Sequence, residues 1–122
     1  MKIVLVDDDP DLIEIMYLAL QQAGHDVTAS AGGVRVLSDM RKTPPDLLIT
    51  DLMMSVMDGL ELCQTVREDT ALAATQTIIV SARTDDLWKT RARDAGAIGY
   101  IEKPIDPMTF ADHVEQILKG VG

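Results

Sequence analysis

Five short apolar runs alternate with five helix-like segments along the 122 residues of the chain. This alternation is typical of a parallel sheet that is covered by helices on both faces. We therefore predict a single α/β domain over residues 1–122, with a doubly wound, five-stranded parallel sheet and five helices. The predicted strands are Lys2–Val6, Asp26–Ser30, Leu47–Thr50, Thr77–Val80 and Ile98–Ile101.

The helix boundaries carry local signals. Asp9 before Pro10 predicts an N-cap and the first turn of a helix, and Gly24 is placed to end that helix. Gly96 is a second predicted C-terminal cap. The remaining predicted helices are Val34–Lys42, Leu60–Asp69, Asp85–Ala95 and a last one that starts at Asp106 or Thr109.

Four of the five predicted strands end in residues that can do chemistry. They are Asp7-Asp8 after the first strand, Asp51 after the third, Ser81 after the fourth, and Lys103-Pro104 just beyond the fifth. Only the second strand, which runs into Ala29-Ser30-Ala31, lacks such a residue. A strand order of 2-1-3-4-5 would place that strand at an edge and bring strands one, three and four together. Because ligands bind outside the carboxyl ends of parallel strands, we predict one shared site.

The carboxylates of this predicted site indicate a metal. Asp7 and Asp8 stand side by side and repel each other unless a cation is present, whereas Asp9 is explained by capping alone. Oxygen ligands favour Mg²⁺. Asp51 follows a buried strand and could act as a nucleophile towards a phosphoryl group. The alternative of a helix N-cap is weaker, since the next helix begins only at about Asp58-Gly59.

Two further side chains complete the predicted site. Lys103 could pair with phosphoryl oxygens, and the alternative is a surface salt bridge. Pro104 directly after it suggests a rigid, cis bond that aims the lysine. Ser81 could donate a hydrogen bond to the same oxygens, although a serine in a loop is unremarkable alone.

Composition excludes some functions and favours one location. The net charge of −9 argues against direct binding of nucleic acid or of an anionic membrane by this domain. No apolar run approaches the ~20 residues of a membrane span, and no signal peptide is recognised. The single cysteine, Cys63, fits a reducing cytoplasm and is predicted as a buried thiol on a helix.

Four motifs, in this order and at this spacing, resemble the response-regulator receiver domain of two-component signalling, the CheY-like superfamily, over the entire chain. They are Val4-Leu5-Val6-Asp7-Asp8-Asp9-Pro10, Asp51-Leu52-Met53-Met54-Ser55-Val56-Met57-Asp58-Gly59, Ser81-Ala82-Arg83 and Gly99-Tyr100-Ile101-Glu102-Lys103-Pro104. One departure is visible, because the family usually has proline where this chain has Ser55. Proline would stiffen the loop after Asp51.

The resemblance implies that Asp51 is the phosphoacceptor. Asp8 would bind Mg²⁺ directly, Asp7 mostly through water, and the backbone carbonyl of Met53 would be the third protein ligand. The phosphoryl group would come from a histidine kinase or a histidine phosphotransfer protein. The domain would not be an enzyme in its own right, beyond its own phosphoryl transfer and a slow autodephosphorylation.

The resemblance also implies a switch. Ser81 would turn towards the phosphoryl group, Tyr100 would swing inward behind it, and Lys103 would bridge Asp51 and the phosphoryl oxygens. The face made by helix four, strand five and helix five would then contact a downstream protein or a fused output domain. A dimer that forms on phosphorylation is a further partner that the family allows. Trp88 on helix four is either a half-exposed aromatic or part of this docking surface.

Three other functions fit the sequence less well. A Mg²⁺-dependent phosphatase with an aspartyl nucleophile typically has a second acid two residues later, where this chain has Met53. A flavin carrier would need a phosphate-binding loop where Asp7 to Asp9 stand. A receiver-like module that no longer takes phosphate is disfavoured, since all five key positions are intact. Met53, Met54 and Met57 are predicted to pack rather than to form a binding surface, with exposure of Met54 or Met57 for a partner as the alternative.

Overall fold

The sheet is parallel throughout and has the order β2-β1-β3-β4-β5. The computed structural model describes residues 1–30, 34–53 and 58–120. Its strands are β1 (Lys2–Val6), β2 (Asp26–Ser30), β3 (Leu47–Asp51), β4 (Gln76–Ser81) and β5 (Gly99–Glu102). The predicted fold class and strand order are confirmed, and β2 lies at an edge as expected.

Five α-helices and one 3-10 turn connect the strands. They are α1 (Pro10–Gln22), α2 (Val34–Lys42), α3 (Gly59–Glu68), the 3-10 turn Thr70–Leu72, α4 (Asp86–Asp94) and α5 (Phe110–Leu118). The side chain of Asp9 accepts hydrogen bonds from the backbone N–H groups of Asp11 and Leu12, which confirms the predicted N-cap. Gly24 and Gly96 adopt positive φ angles of 95° and 111°, so both predicted caps are confirmed.

Several predicted boundaries differ from the structure by one residue, and one alternative is wrong. Helix α5 does not begin at Asp106, because residues 107–109 form a turn and Thr109 is the N-cap. The carboxylate of Asp106 accepts the N–H of Met108 at 2.9 Å within this turn. An aspartate can close a turn or cap a helix with the same hydrogen bond, so sequence did not distinguish the two.

The core fills both faces of the sheet. Strand β3 is buried at all five positions, as a central strand with helices on both sides must be. One cluster joins β1, β3 and β4 to α1 and α5, and a second joins β1 and β3 to α2 and α3. A third cluster lies between α3 and α4 and contains Cys63, which is buried as predicted. In the described part of the chain, every helix is too short or too polar to span a membrane.

The close approach of β5 to α5 depends on Gly99. A Cβ atom at this position would lie 2.5 Å from Cγ2 and 2.8 Å from Cδ1 of Ile117. We expect Gly99→Ala to lower the free energy of unfolding by about 1–3 kcal/mol, because the buried isoleucine must shift. The change in the free energy of unfolding is measured by urea unfolding of three variants: Gly99→Ala, Ile117→Ala and the double variant. The double variant should lose less than the sum of the single losses, and strictly additive losses would contradict the clash.

Candidate functional site

The parallel register places the carboxyl ends of β1, β3 and β4 at one edge of the sheet. Val6 pairs with Thr50 and Asp51 pairs with Val80 across neighbouring strands. Asp7 continues directly from β1, and Ser81 is the last residue of β4. The predicted convergence of these strand ends is therefore what the structure shows.

Asp7 and Asp8 lie at the same strand end in different surroundings. Asp7 is only 2% exposed, and its Oδ1 atom accepts the backbone N–H of Asp9 at 2.9 Å. Asp8 is exposed to solvent. The pair therefore offers one fixed, buried carboxylate and one accessible carboxylate at the mouth of the site.

Asp51 is held through its backbone by groups that sequence reasoning did not single out. The hydroxyl of Thr50 donates to the carbonyl of Asp51 at 3.0 Å. Gly59 lies directly against the same carbonyl, since a Cβ atom there would be 2.1 Å from the Asp51 oxygen. Most residue types are accepted at the first position of a helix, so a glycine at that position could have indicated the close backbone approach.

Lys103 brings its ammonium group to the buried carboxylates. Its Nζ atom lies 3.1 Å from Oδ2 of Asp7 and 3.4 Å from Oδ1 of Asp51. The Lys103–Pro104 peptide bond is cis, as predicted. The alternative of a surface salt bridge does not hold, because both partner carboxylates are buried.

The three carboxylates form one oxygen cluster. Oxygen atoms of Asp7, Asp8 and Asp51 all lie within 4.8 Å of one another. Burial raises the pKa of Asp51, and the charge of Asp7 raises it further, while Lys103 and the N–H of Met53 act in the opposite direction. One ammonium does not neutralise three carboxylates. An all-oxygen set with an accessible member fits a hard cation such as Mg²⁺.

Ser81 and Tyr100 meet at the backbone of one residue, Arg83. Ser81 is 1% exposed, and its Oγ atom accepts the N–H of Arg83 at 3.0 Å. The hydroxyl of Tyr100 donates to the carbonyl of Arg83 at 2.6 Å. The Tyr100 ring is partly buried against the cluster between α3 and α4. Arg83 belongs to the motif Ser81-Ala82-Arg83, but the sequence analysis did not predict a role for it.

The loop after Asp51 is described only as far as Met53. The side chain of Met53 is 50% exposed, so the prediction that it packs is wrong. Met54, Ser55 and Met57 lie outside the described residues, and the predictions made for them stay predictions.

Comparison with known proteins identifies the family. A family model described as the response regulator receiver domain matches residues 3–115. The chain belongs to this family. This receiver domain is 30% identical over 118 residues to the DNA-binding response regulator MtrA of Mycolicibacterium smegmatis, with 97% of the chain and 50% of MtrA covered. It thus spans about half the length of the curated relatives that it matches.

Solved structures agree with this family. A putative response regulator from Chloroflexus aurantiacus superposes with a TM-score of 0.89 at 32% identity, covering 97% of both chains. The BeF3-activated receiver domain of DrrB, a Thermotoga maritima protein, gives a TM-score of 0.84 at 28% identity and also covers 97% of both chains. The chain is thus a response-regulator receiver domain of two-component systems in both sequence and fold.

Trp88 of the receiver domain lies between two arginines on the surface of α4. The guanidinium carbon of Arg83 is 5.6 Å from the ring centroid, and that of Arg91 is 5.1 Å away. The ring itself packs partly against the cluster between α3 and α4. The ring is partly exposed, which is compatible with both predicted alternatives, a half-exposed aromatic and a part of the docking surface.

The raised pKa of Asp51 has a consequence for stability. Folding disfavours the ionised form, so without a divalent metal the domain should lose stability as pH rises from 3.8, the ordinary value, through the raised folded pKa. Asp51→Asn removes this loss. We expect the variant to gain in melting temperature over wild type as pH rises across that window, measured in chelator. A pH-independent difference would contradict the assignment.

Asp69 provides a control of opposite sign. The hydrogen bond from Arg41 holds the pKa of Asp69 below 3.8. The ionised carboxylate of Asp69 therefore stabilises the fold at neutral pH, and this stabilisation is lost as the carboxylate is protonated at acidic pH. Asp69→Asn should therefore melt lower than wild type near pH 7 and approach it at acidic pH.

Proposed function

We propose that this receiver domain accepts a phosphoryl group on Asp51, with Mg²⁺ as cofactor, and that phosphorylation changes the face made by α4, β5 and α5. The observation that carries the proposal is the shared ammonium of Lys103. It lies within 3.4 Å of Asp51 and 3.1 Å of Asp7, where the carboxylates of Asp7, Asp8 and Asp51 converge.

In the proposed reaction a carboxylate oxygen of Asp51 attacks phosphorus in line with the leaving group. The donor is a phosphohistidine of a kinase or of a histidine phosphotransfer protein; its P–N bond breaks, the histidine imidazole leaves, and the new P–O bond makes an aspartyl phosphate. Lys103 is already placed to balance negative charge that the transfer brings to Asp51. Ser81 would donate a hydrogen bond from its hydroxyl to a phosphoryl oxygen while its Oγ atom still accepts the N–H of Arg83.

The metal ligands in this proposal are Asp7, Asp8, Asp51 and the backbone carbonyl of Met53. Bound Mg²⁺ would neutralise charge on the carboxylates and on the transferred phosphoryl group. Exposed Asp8 is the accessible member that can bind the ion directly, whereas buried Asp7 already uses Oδ1 to accept from Asp9 and faces Lys103 with Oδ2.

The partners follow from this chemistry. A histidine kinase or phosphotransfer protein would supply the phosphoryl group, and a downstream protein or fused output domain would read the result. MtrA is a DNA-binding regulator of about twice this length, which favours output through a further domain. We further propose that the domain is cytoplasmic and is not an enzyme beyond its own phosphoryl transfer and slow autodephosphorylation. An aspartyl phosphatase remains disfavoured by Met53, where a second acid would stand.

Phosphorylation of Asp51 is directly testable. With Mg²⁺ and acetyl phosphate, the wild-type domain should gain the mass of one phosphoryl group, and Asp51→Asn should gain none, because the amide is a poor nucleophile. Intact-mass measurement reads both. Asp46→Asn, at the opposite end of the sheet, is a matched control that should label as wild type does. Equal labelling of wild type and Asp51→Asn would sink the assignment.

Metal binding should appear in the melting temperature. Mg²⁺ at one hundred times its Kd would stabilise the folded domain by ~2.7 kcal/mol through mass action. Asp8→Ala should abolish the shift and leave the metal-free domain as stable as wild type or more so, because repulsion among the carboxylates is relieved. Asp26→Ala, an exposed acid at the start of β2, should keep the full shift. A metal-free Asp8→Ala clearly less stable than wild type would indicate a structural role for Asp8 instead.

A further inference from the structure

Arg83 contacts three separate parts of the receiver domain through three different groups. Its N–H donates to Ser81, its carbonyl accepts from Tyr100, and its guanidinium lies over the ring of Trp88. In the proposed function Ser81 would bond the phosphoryl group, and the family resemblance implies that Tyr100 moves in response. Trp88 belongs to α4. The three contacts therefore connect the phosphorylation site to the helix through one residue.

We propose that Arg83 is a positioning residue whose stacking on Trp88 stabilises the arrangement seen here, in which Tyr100 donates to the carbonyl of Arg83 and Ser81 accepts its N–H, and that this arrangement is the one that takes the phosphoryl group. This inference rests on the proposed function and extends it. The backbone groups of Arg83 cannot leave Ser81 and Tyr100 without carrying its side chain along. The contact with Trp88 thus favours one of two loop conformations, and shifts their populations accordingly.

The distance makes this contact sensitive to the loop. At 5.6 Å from the ring centroid, the guanidinium of Arg83 is near the ~6 Å limit for a cation–π interaction. A small displacement of the loop between β4 and α4 would therefore remove the attraction. The stacking energy is then available only to the arrangement seen here, which the proposal makes the one competent for phosphorylation.

Arg91 makes a similar contact that cannot report on the loop. Its guanidinium is 5.1 Å from the same ring, but Arg91 and Trp88 both lie on α4, three residues apart. That contact persists whichever position the loop adopts. Arg91→Ala is therefore a matched control, since it removes the same chemical group from the same ring without touching the backbone that holds Ser81 and Tyr100.

The test is the affinity for beryllofluoride, a phosphoryl mimic, in the presence of Mg²⁺. Isothermal titration calorimetry gives the affinity, and Trp88, the only tryptophan, reports the change by fluorescence. We expect Arg83→Ala to weaken binding by about two- to fivefold, the equivalent of one exposed cation–π interaction, and to reduce the fluorescence change. Arg83→Gln, of similar length but uncharged, should behave alike. Arg91→Ala should bind as wild type does.

A double-variant cycle separates stacking from charge. In the Trp88→Leu background, Arg83→Ala should cause no further loss of affinity, because the ring it stacked on is gone. Three results would overturn the inference: wild-type affinity in Arg83→Ala, equal weakening by Arg91→Ala, or an undiminished effect of Arg83→Ala in Trp88→Leu. A wild-type domain with no response to beryllofluoride would overturn the proposed function itself, and the inference with it.

Discussion

The like-charge repulsion among three carboxylates is the constraint on which this structure depends. Asp7 and Asp51 are buried, Asp8 stands beside them, and one ammonium from Lys103 offsets only part of their charge. A sequence selected for stability alone would not place them together, and local conflicts of this kind are expected at functional sites. The pKa of Asp51 is raised first by burial and then by the charge of Asp7, so this repulsion is one of the two causes of the shift. Added positive charge relieves it, which is why we propose a divalent cation here.

The sheet is what makes this repulsion unavoidable. Asp7 and Lys103 are 96 residues apart in the chain and 3.1 Å apart in the fold, because parallel strands return their carboxyl ends to one edge. Strands β1 and β3 are direct neighbours, so Asp7 and Asp51 cannot separate without breaking a buried ladder. The packed core thereby holds the charges in place. Their repulsion lowers the free energy of unfolding, and the packing of the core offsets that loss.

The sequence could predict what depends on local pattern and on topology. The caps at Asp9 and Gly24 are local, and the edge position of β2 follows from its lack of a reactive end. The wrong predictions concern residues whose position depends on the path of a loop. An aspartate at 106 closes a turn rather than a helix, and the exposure of Met53 depends on how the chain leaves β3. Arg83 makes its three contacts through its backbone groups and an exposed guanidinium. Neither the periodicity of apolar residues nor a sequence motif predicts such contacts.

Helix α4 is attached differently at its two ends, and this asymmetry directs any change that starts at the site. At its C-terminal end, Arg67 of α3 donates to the carbonyl of Asp94 at 2.7 Å, and the thiol of Cys63 lies 3.4 Å from the carbonyl of Ala95. At its N-terminal end, Asp85 makes no side-chain capping bond, and the loop is held through Arg83 and Trp88. A displacement of that loop therefore acts on the less constrained end of α4, while α3 fixes the other. Under the proposed function, a change at the phosphorylation site would therefore reach α4 at its N-terminal end.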